Sequence, residues 1–204
     1  MTTPIQNWLD LLLPMVPGLT DDVARQHLLK TFQDFLAHSY MWQETLPVAL
    51  VSNQAEYPLV GQDDADIVTV LHVRTEDYDI PPVDLFASLH DRYGWRWDKS
   101  ASSLILSPAP GDGATGTLDV RVALMPTDLS FPVQVVDGWQ DAIISGVLGS
   151  IHTTMLHLPS VAPALGQWHM QRYMAARARA RVQALSLAGP IGYSVGRNAL
   201  GGLA

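Results

Sequence analysis

The chain changes its hydrophobic period twice. Residues 1–19 set a WLDLLL stretch among Pro4, Pro14, Pro17 and Gly18, which predicts a short helical or extended lead-in and not a full helix. From Thr20, a candidate cap with Asp21 and Asp22 placed on the N-terminal dipole, apolar positions recur at steps of four and three: Leu28, Phe32, Phe35, Ser39, Trp42. One buried helical face follows, closed by about Thr45 ahead of Pro47.

Between about 46 and 126 the period shortens to that of strands. LPVALV and AEYPLV flank Ser52-Asn53-Gln54 and predict a hairpin. Asp66 to Arg74 is rich in β-branched residues and apolar on both alternations, the pattern of a central strand. Pro81-Pro82 open a short helical turn through Leu89, and WRW and LILS then form strands. The cleanest alternation comes last: Leu118, Val120, Val122 and Leu124 inward, Asp119 and Arg121 outward, after the GDGATG turn. Five or six antiparallel strands are expected.

Helical spacing returns after Pro132, with Asp137 as a candidate cap. Trp139, Ile143, Gly146, Val147, Ser150, Ile151 and Thr154 share a face on which Gly146, Gly149 and Ser150 let another backbone approach closely. Pro163 suits the first position of a last helix that runs to about Leu187 before Gly189-Pro190. The expected architecture is α+β: a helical bundle of about three helices from 1–45 and 127–189, an inserted small antiparallel β module at 46–126, and an extended C-terminal arm at 190–204.

An apolar content of 48% is ample for a core. No stretch reaches the roughly 18–20 apolar residues a membrane helix needs, so no membrane partner is expected. The opening MTTPIQNWLD has no positive n-region of a secretory signal. With no cysteine, disulfides, thiol catalysis and cysteine metal sites drop out.

Charge changes the picture more. All 20 acids lie at or before Asp141, and the residues after it carry Arg172, Arg177, Arg179, Arg181 and Arg197 with no acid. A dipolar chain of this kind has a ready way to recognise copies of itself or an acidic neighbour. Because 142–204 supplies no acids, Arg177, Arg179 and Arg181 are expected to meet acidic loops of an adjacent subunit, with Asp63, Asp64 and Asp66 as the candidate loop. The arm Pro190, Ile191, Gly192, Tyr193, Ser194, Val195, Arg197 and Leu200 cannot build a core and reads as ordering on a partner surface, with Tyr193 and Arg197 as anchors.

Catalytic patterns are weak. Neither a P-loop nor a strand-linked GxGxxG occurs, since GDGATG precedes a strand. His152, His157 and His169 suggest a metal only faintly, because a spacing of five puts the first two off a shared helical face. Glu44, Glu56 and Glu76 are the only glutamates, and no paired carboxylates stand out among them. No cofactor, no metal and no enzymatic activity are expected.

Trp42, Glu44 and Thr45; Ala55, Tyr57 and Pro58; Val70 and Val73; and Asp137, Ile143 and Gly146 together form a layout that resembles the head–tail adaptor (connector) proteins of tailed bacteriophages, of the tail tubular protein A class. The resemblance spans about residues 20–190. It implies a structural virion protein of the neck between capsid and tail, assembled in the host cytoplasm. It further implies a homo-oligomeric ring, usually of twelve copies, under the portal protein, with the C-terminal arm reaching the portal and a downstream tail or stopper protein below. Genomic DNA would pass through such a ring without sequence-specific binding. The alternative is a peptidoglycan-degrading tail accessory enzyme, for which lytic clearing lost in Glu44→Gln would be the signature.

Overall fold

The protein is described by a computed structural model that covers residues 4–61, 64–83, 93–130 and 133–187. It is mixed α+β, with four α-helices and two antiparallel sheets among the described residues.

The lead-in forms a real if short helix, α1 (Pro4–Leu12), followed by a 3-10 turn at Leu13–Met15 where Pro14 removes a donor. Ile5, Trp8, Leu9 and Leu12 are buried at helical spacing, and the Trp8 ring meets Phe32 edge to face at 5.1 Å. The second helix, α2 (Asp21–Ser39), buries Ala24, Leu28, Phe32, Phe35 and Ser39, as its spacing predicts. Thr20 has the extended backbone of a cap, but its side chain makes no capping hydrogen bond.

Helix α2 stops earlier than its period suggests. Tyr40 turns left-handed at φ 58° and its N–H closes on the Leu36 carbonyl. Trp42 is still buried, but it lies beyond the helix, and Glu44 and Thr45 belong to strand β1 (Gln43–Ala49). A tyrosine in a position that usually takes glycine gave no stop signal.

The expected hairpin does not form. β1 pairs with β7 (Thr117–Pro126), whereas β2 (Glu56–Pro58) pairs with β6 (Ser103–Ser107) in a different sheet. The intervening turn is instead tied across to the proline loop, with Asn53 N–H donating to the Pro110 carbonyl at 2.8 Å and Leu106 N–H to Ala55 at 2.8 Å. The four-stranded sheet runs β1-β7-β3-β4, with β3 at Ala65–Arg74 and β4 at Asp79–Ile80. The three-stranded sheet runs β2-β6-β5, with β5 at Gly94–Asp98. Among the described residues there are thus seven strands where the sequence pattern predicts five or six. Pro47 sits in an edge strand, where its missing donor is tolerated.

Strand β7 follows its alternation: Leu118, Val120, Val122 and Leu124 are fully buried and Asp119 faces out. Opposite them stand Leu46 and Val48 of β1 and Val70 and Val73 of β3. With Tyr57, Trp95, Leu104 and Leu106 of the smaller sheet and the apolar faces of the helices, they form one continuous core.

After a 3-10 turn at Val133–Val136 comes α3 (Gln140–Thr154), and then α4 (Pro163–Leu187). The residue preceding α3 is Trp139, with no side-chain cap, so Asp137 does not cap this helix. Pro163 does open α4, where no N–H is needed. The close approach expected on α3 is present. A Cβ on Gly146 would stand 2.7 Å from both Thr31 and the Tyr173 ring, and one on Gly149 would stand 3.1 Å from the Met170 backbone nitrogen. Ser150 Oγ lies 3.0 Å from His27 Nδ1. The helical turn expected to run to Leu89 falls largely outside the described residues, although Pro82 bridges to Trp95.

Candidate functional site

Helix α4 is held from one side. Its inner face is Tyr173, Ala176, Ala180 and Ala184, all buried, and the alanines keep its axis close to the neighbouring elements. At its middle the Tyr173 hydroxyl donates to Asp34 Oδ2 at 2.6 Å, and Arg177 Nη1 donates to the same oxygen at 2.6 Å. Burial, then the hydrogen bond and charge of Asp34, push the Tyr173 hydroxyl far above its ordinary range, so it serves as a permanent donor. The knot ties α4 to α2 through one carboxylate.

This changes the role of the arginine run. Arg177 does not lack an acid within the chain, as its own segment implies; α2 supplies one. Arg181 lies over the Tyr40 ring with 4.7 Å to its centroid. Arg179 remains exposed, and so do Asp64 and Asp66 at the start of β3. Asp63 and the arm 190–204 lie outside the described residues.

The outward side of α4 carries a stripe that the charge pattern alone did not single out. Leu165, Trp168, Arg172, Ala175, Arg179 and Val182 follow each other at steps of three and four and are all exposed, Trp168 at 50% and Val182 at 70%. Helical spacing was the available signal, and the apolar members hid it because they read as core. Arg172 lies over Trp168 with 4.7 Å to the ring centroid, joining the two into one plate. An exposed tryptophan paired with an arginine is the composition of an interface anchor.

At the start of α4 two histidines of the suggested metal trio meet. The rings of His152 and His169 are parallel with centroids 5.9 Å apart, and Ala162 N–H donates to His152 Nδ1 at 3.1 Å. Among the described residues no group of three or more His, Asp or Glu could hold a metal ion. Burial, then the positive charges of His152 and Arg172, hold His169 below its ordinary value of 6.5. His27 is lowered as well, by burial and then by Lys30. Both groups bind protons more readily unfolded, so stability is full above about pH 6.5 and is lost as pH falls toward their folded values. Thermal melts at pH 7.5 and 5 are expected to show this fall, and His169→Gln is expected to reduce it. An undiminished fall in the variant would assign the loss elsewhere.

At the β4 end lies a cleft of about 390 Å³ between the two sheets. Tyr78 and Tyr93 stand at it, their hydroxyls 2.8 Å apart and their ring centroids 6.1 Å apart, beside the exposed Glu76 and Asp77. Thr75 Oγ1 accepts from Tyr78 N–H at 3.1 Å and fixes the turn that presents them. The three glutamates are spread over three elements: Glu44 on β1 opposite Val122, Glu56 on β2 accepting from Ser103 Oγ at 2.7 Å, and Glu76 on this turn. No helix among the described residues is long and apolar enough to cross a membrane. Compared with models of known protein families and with curated proteins, the chain has no match.

Proposed function

We propose that this chain is a non-enzymatic structural subunit: a head–tail adaptor of a phage or phage-like particle. In this reading the three longer helices act as the bundle, the two sheets as its inserted β module, and residues 190–204 as the arm that docks on the portal. Copies form a ring that continues the DNA channel and carries the next tail component.

The observation that carries the reading is the outward stripe of α4. It presents Trp168, Leu165 and Val182 with Arg172 and Arg179, and no acid from its own segment balances it. Apolar anchors ringed by one sign of charge suit a protein surface of the opposite sign. The rest of the chain is such a surface, since it holds all 20 acids. A ring needs two unlike faces that meet repeatedly, and an acidic front with a basic back is such a pair. A negative wall would also let DNA slide without adhering.

The test mixes the full chain with portal rings from the same gene neighbourhood and images the product by electron microscopy. A density ring added beneath the portal is the expected result. Removing residues 190–204 is expected to abolish attachment and leave the circular dichroism spectrum folded. Attachment by the shortened chain would end the role given to the arm, and failure of the full chain to attach would end the adaptor reading itself.

A further inference from the structure

The stripe on α4 and the tyrosine cleft have complementary chemistry. We infer that the Trp168–Arg172 plate of one copy docks into the Tyr78–Tyr93 cleft of the next, so that the subunits join head to tail. This rests on the adaptor reading only in needing copies of one chain to meet, and it names which surfaces do so.

Three features support the pairing. First, the charges match: Glu76 and Asp77 are exposed beside the cleft, whereas Arg172 lies over an exposed indole and Arg179 follows on the same stripe, on a segment that holds no acid. Second, the shapes match. A concave site of about 390 Å³ lined by Tyr78, Tyr93, Leu106 and Pro108 suits one large flat side chain, and aromatic rings pack best against each other tilted or offset. The hydrogen bond between the two tyrosine hydroxyls already holds the ring pair in place, so little side-chain freedom is lost on docking.

Third, a chain cannot fill its own cleft. Leu185 borders the same cavity as Asp79, the neighbour of Tyr78. The 17 residues from Trp168 to Leu185 put about 25 Å of helix between the indole and that end of the molecule. Two copies of the stripe would also repel each other, because Arg172 and Arg179 carry the same charge. The acceptor is therefore a different surface of a second copy, which is the heterologous geometry that closes rings.

The test is sedimentation velocity on the full chain across a concentration series. The wild type is expected to self-associate. Arg172→Glu alone, or Glu76→Arg with Asp77→Arg, is expected to weaken association at least tenfold, and the combination of all three is expected to restore it. Since the chain has no cysteine, Arg172→Cys and Asp77→Cys chains can also be mixed under mild oxidation. The mixed disulfide is expected to exceed the two homodimers combined, since random pairing of equal amounts would only match their sum. A wild type that stays monomeric at the highest concentration, reversals without effect, or a mixed disulfide no more abundant than the two homodimers combined would each overturn the inference. Portal attachment of the same variants separates the outcomes. A chain that joins the portal but ignores the reversals sinks only this contact, and one that self-associates as described but never joins a portal sinks only the adaptor.

Discussion

Phe35→Ala is expected to destabilise the chain by about 3–5 kcal/mol, the range found for truncating a fully buried aromatic. Phe35 is completely enclosed and lies where the helices meet, with its ring centroid 5.8 Å from Trp139 and 6.1 Å from Tyr173. Alanine would lose the transfer energy of the ring and leave a void between parts that cannot all collapse into it. Tyr173 is not free to follow, because its hydroxyl is held by the hydrogen bond to Asp34. For a chain of this length the loss corresponds to a drop of roughly 10 °C in Tm. Calorimetry or a urea titration measures it. A change below about 1 kcal/mol would mean that the helices do not share this core.

Gly146→Val is expected to cost about 1–3 kcal/mol through the opposite fault, too much volume. A Cβ at this position would stand 2.7 Å from Thr31 Cγ2 and 2.7 Å from Tyr173 Cδ2, before the two methyl groups of valine are counted. Removing a glycine from a helix gains several tenths of a kcal/mol in propensity, which is too little to offset the clash. The ring that must yield is the one whose hydroxyl binds Asp34, so the substitution is expected to loosen that bond as well. A double-mutant cycle with Tyr173→Phe tests the coupling: the two costs are expected to add to less than their sum. Strict additivity would show that the ring moves without disturbing Asp34.

Much of the local structure was legible. The alternation Leu118–Leu124 marks β7 because a strand buried on one face must repeat at two, and Pro163 marks the start of α4 because proline lacks the donor that a first turn does not use. Gly146 and Gly149 signalled a close crossing through the absence of a side chain. What stayed hidden was pairing between distant segments. Nothing local to β1 shows that it joins β7 rather than β2, because both partners offer the same apolar alternation. Asp34 and Arg177 are 143 residues apart, and a charge count by segment left Arg177 looking unpaired. Tyr40 at φ 58° took a position where the usual marker is glycine. The outward stripe of α4 was obscured because leucine, tryptophan and valine at helical spacing ordinarily mean core.

The knot at Asp34 also sets an order of events for a chain emerging from the ribosome. Its carboxylate and the Phe35 ring are made early, but Tyr173 and Arg177, which cover them, come out some 140 residues later. Until then the side of α2 that faces α4 lacks its cover, while α1, the sheets and α3 can already close on the rest. Synthesis interrupted before α4 would release a fragment with the Tyr173-facing side of Phe35 open to water, the kind of species that chaperones hold and proteases clear.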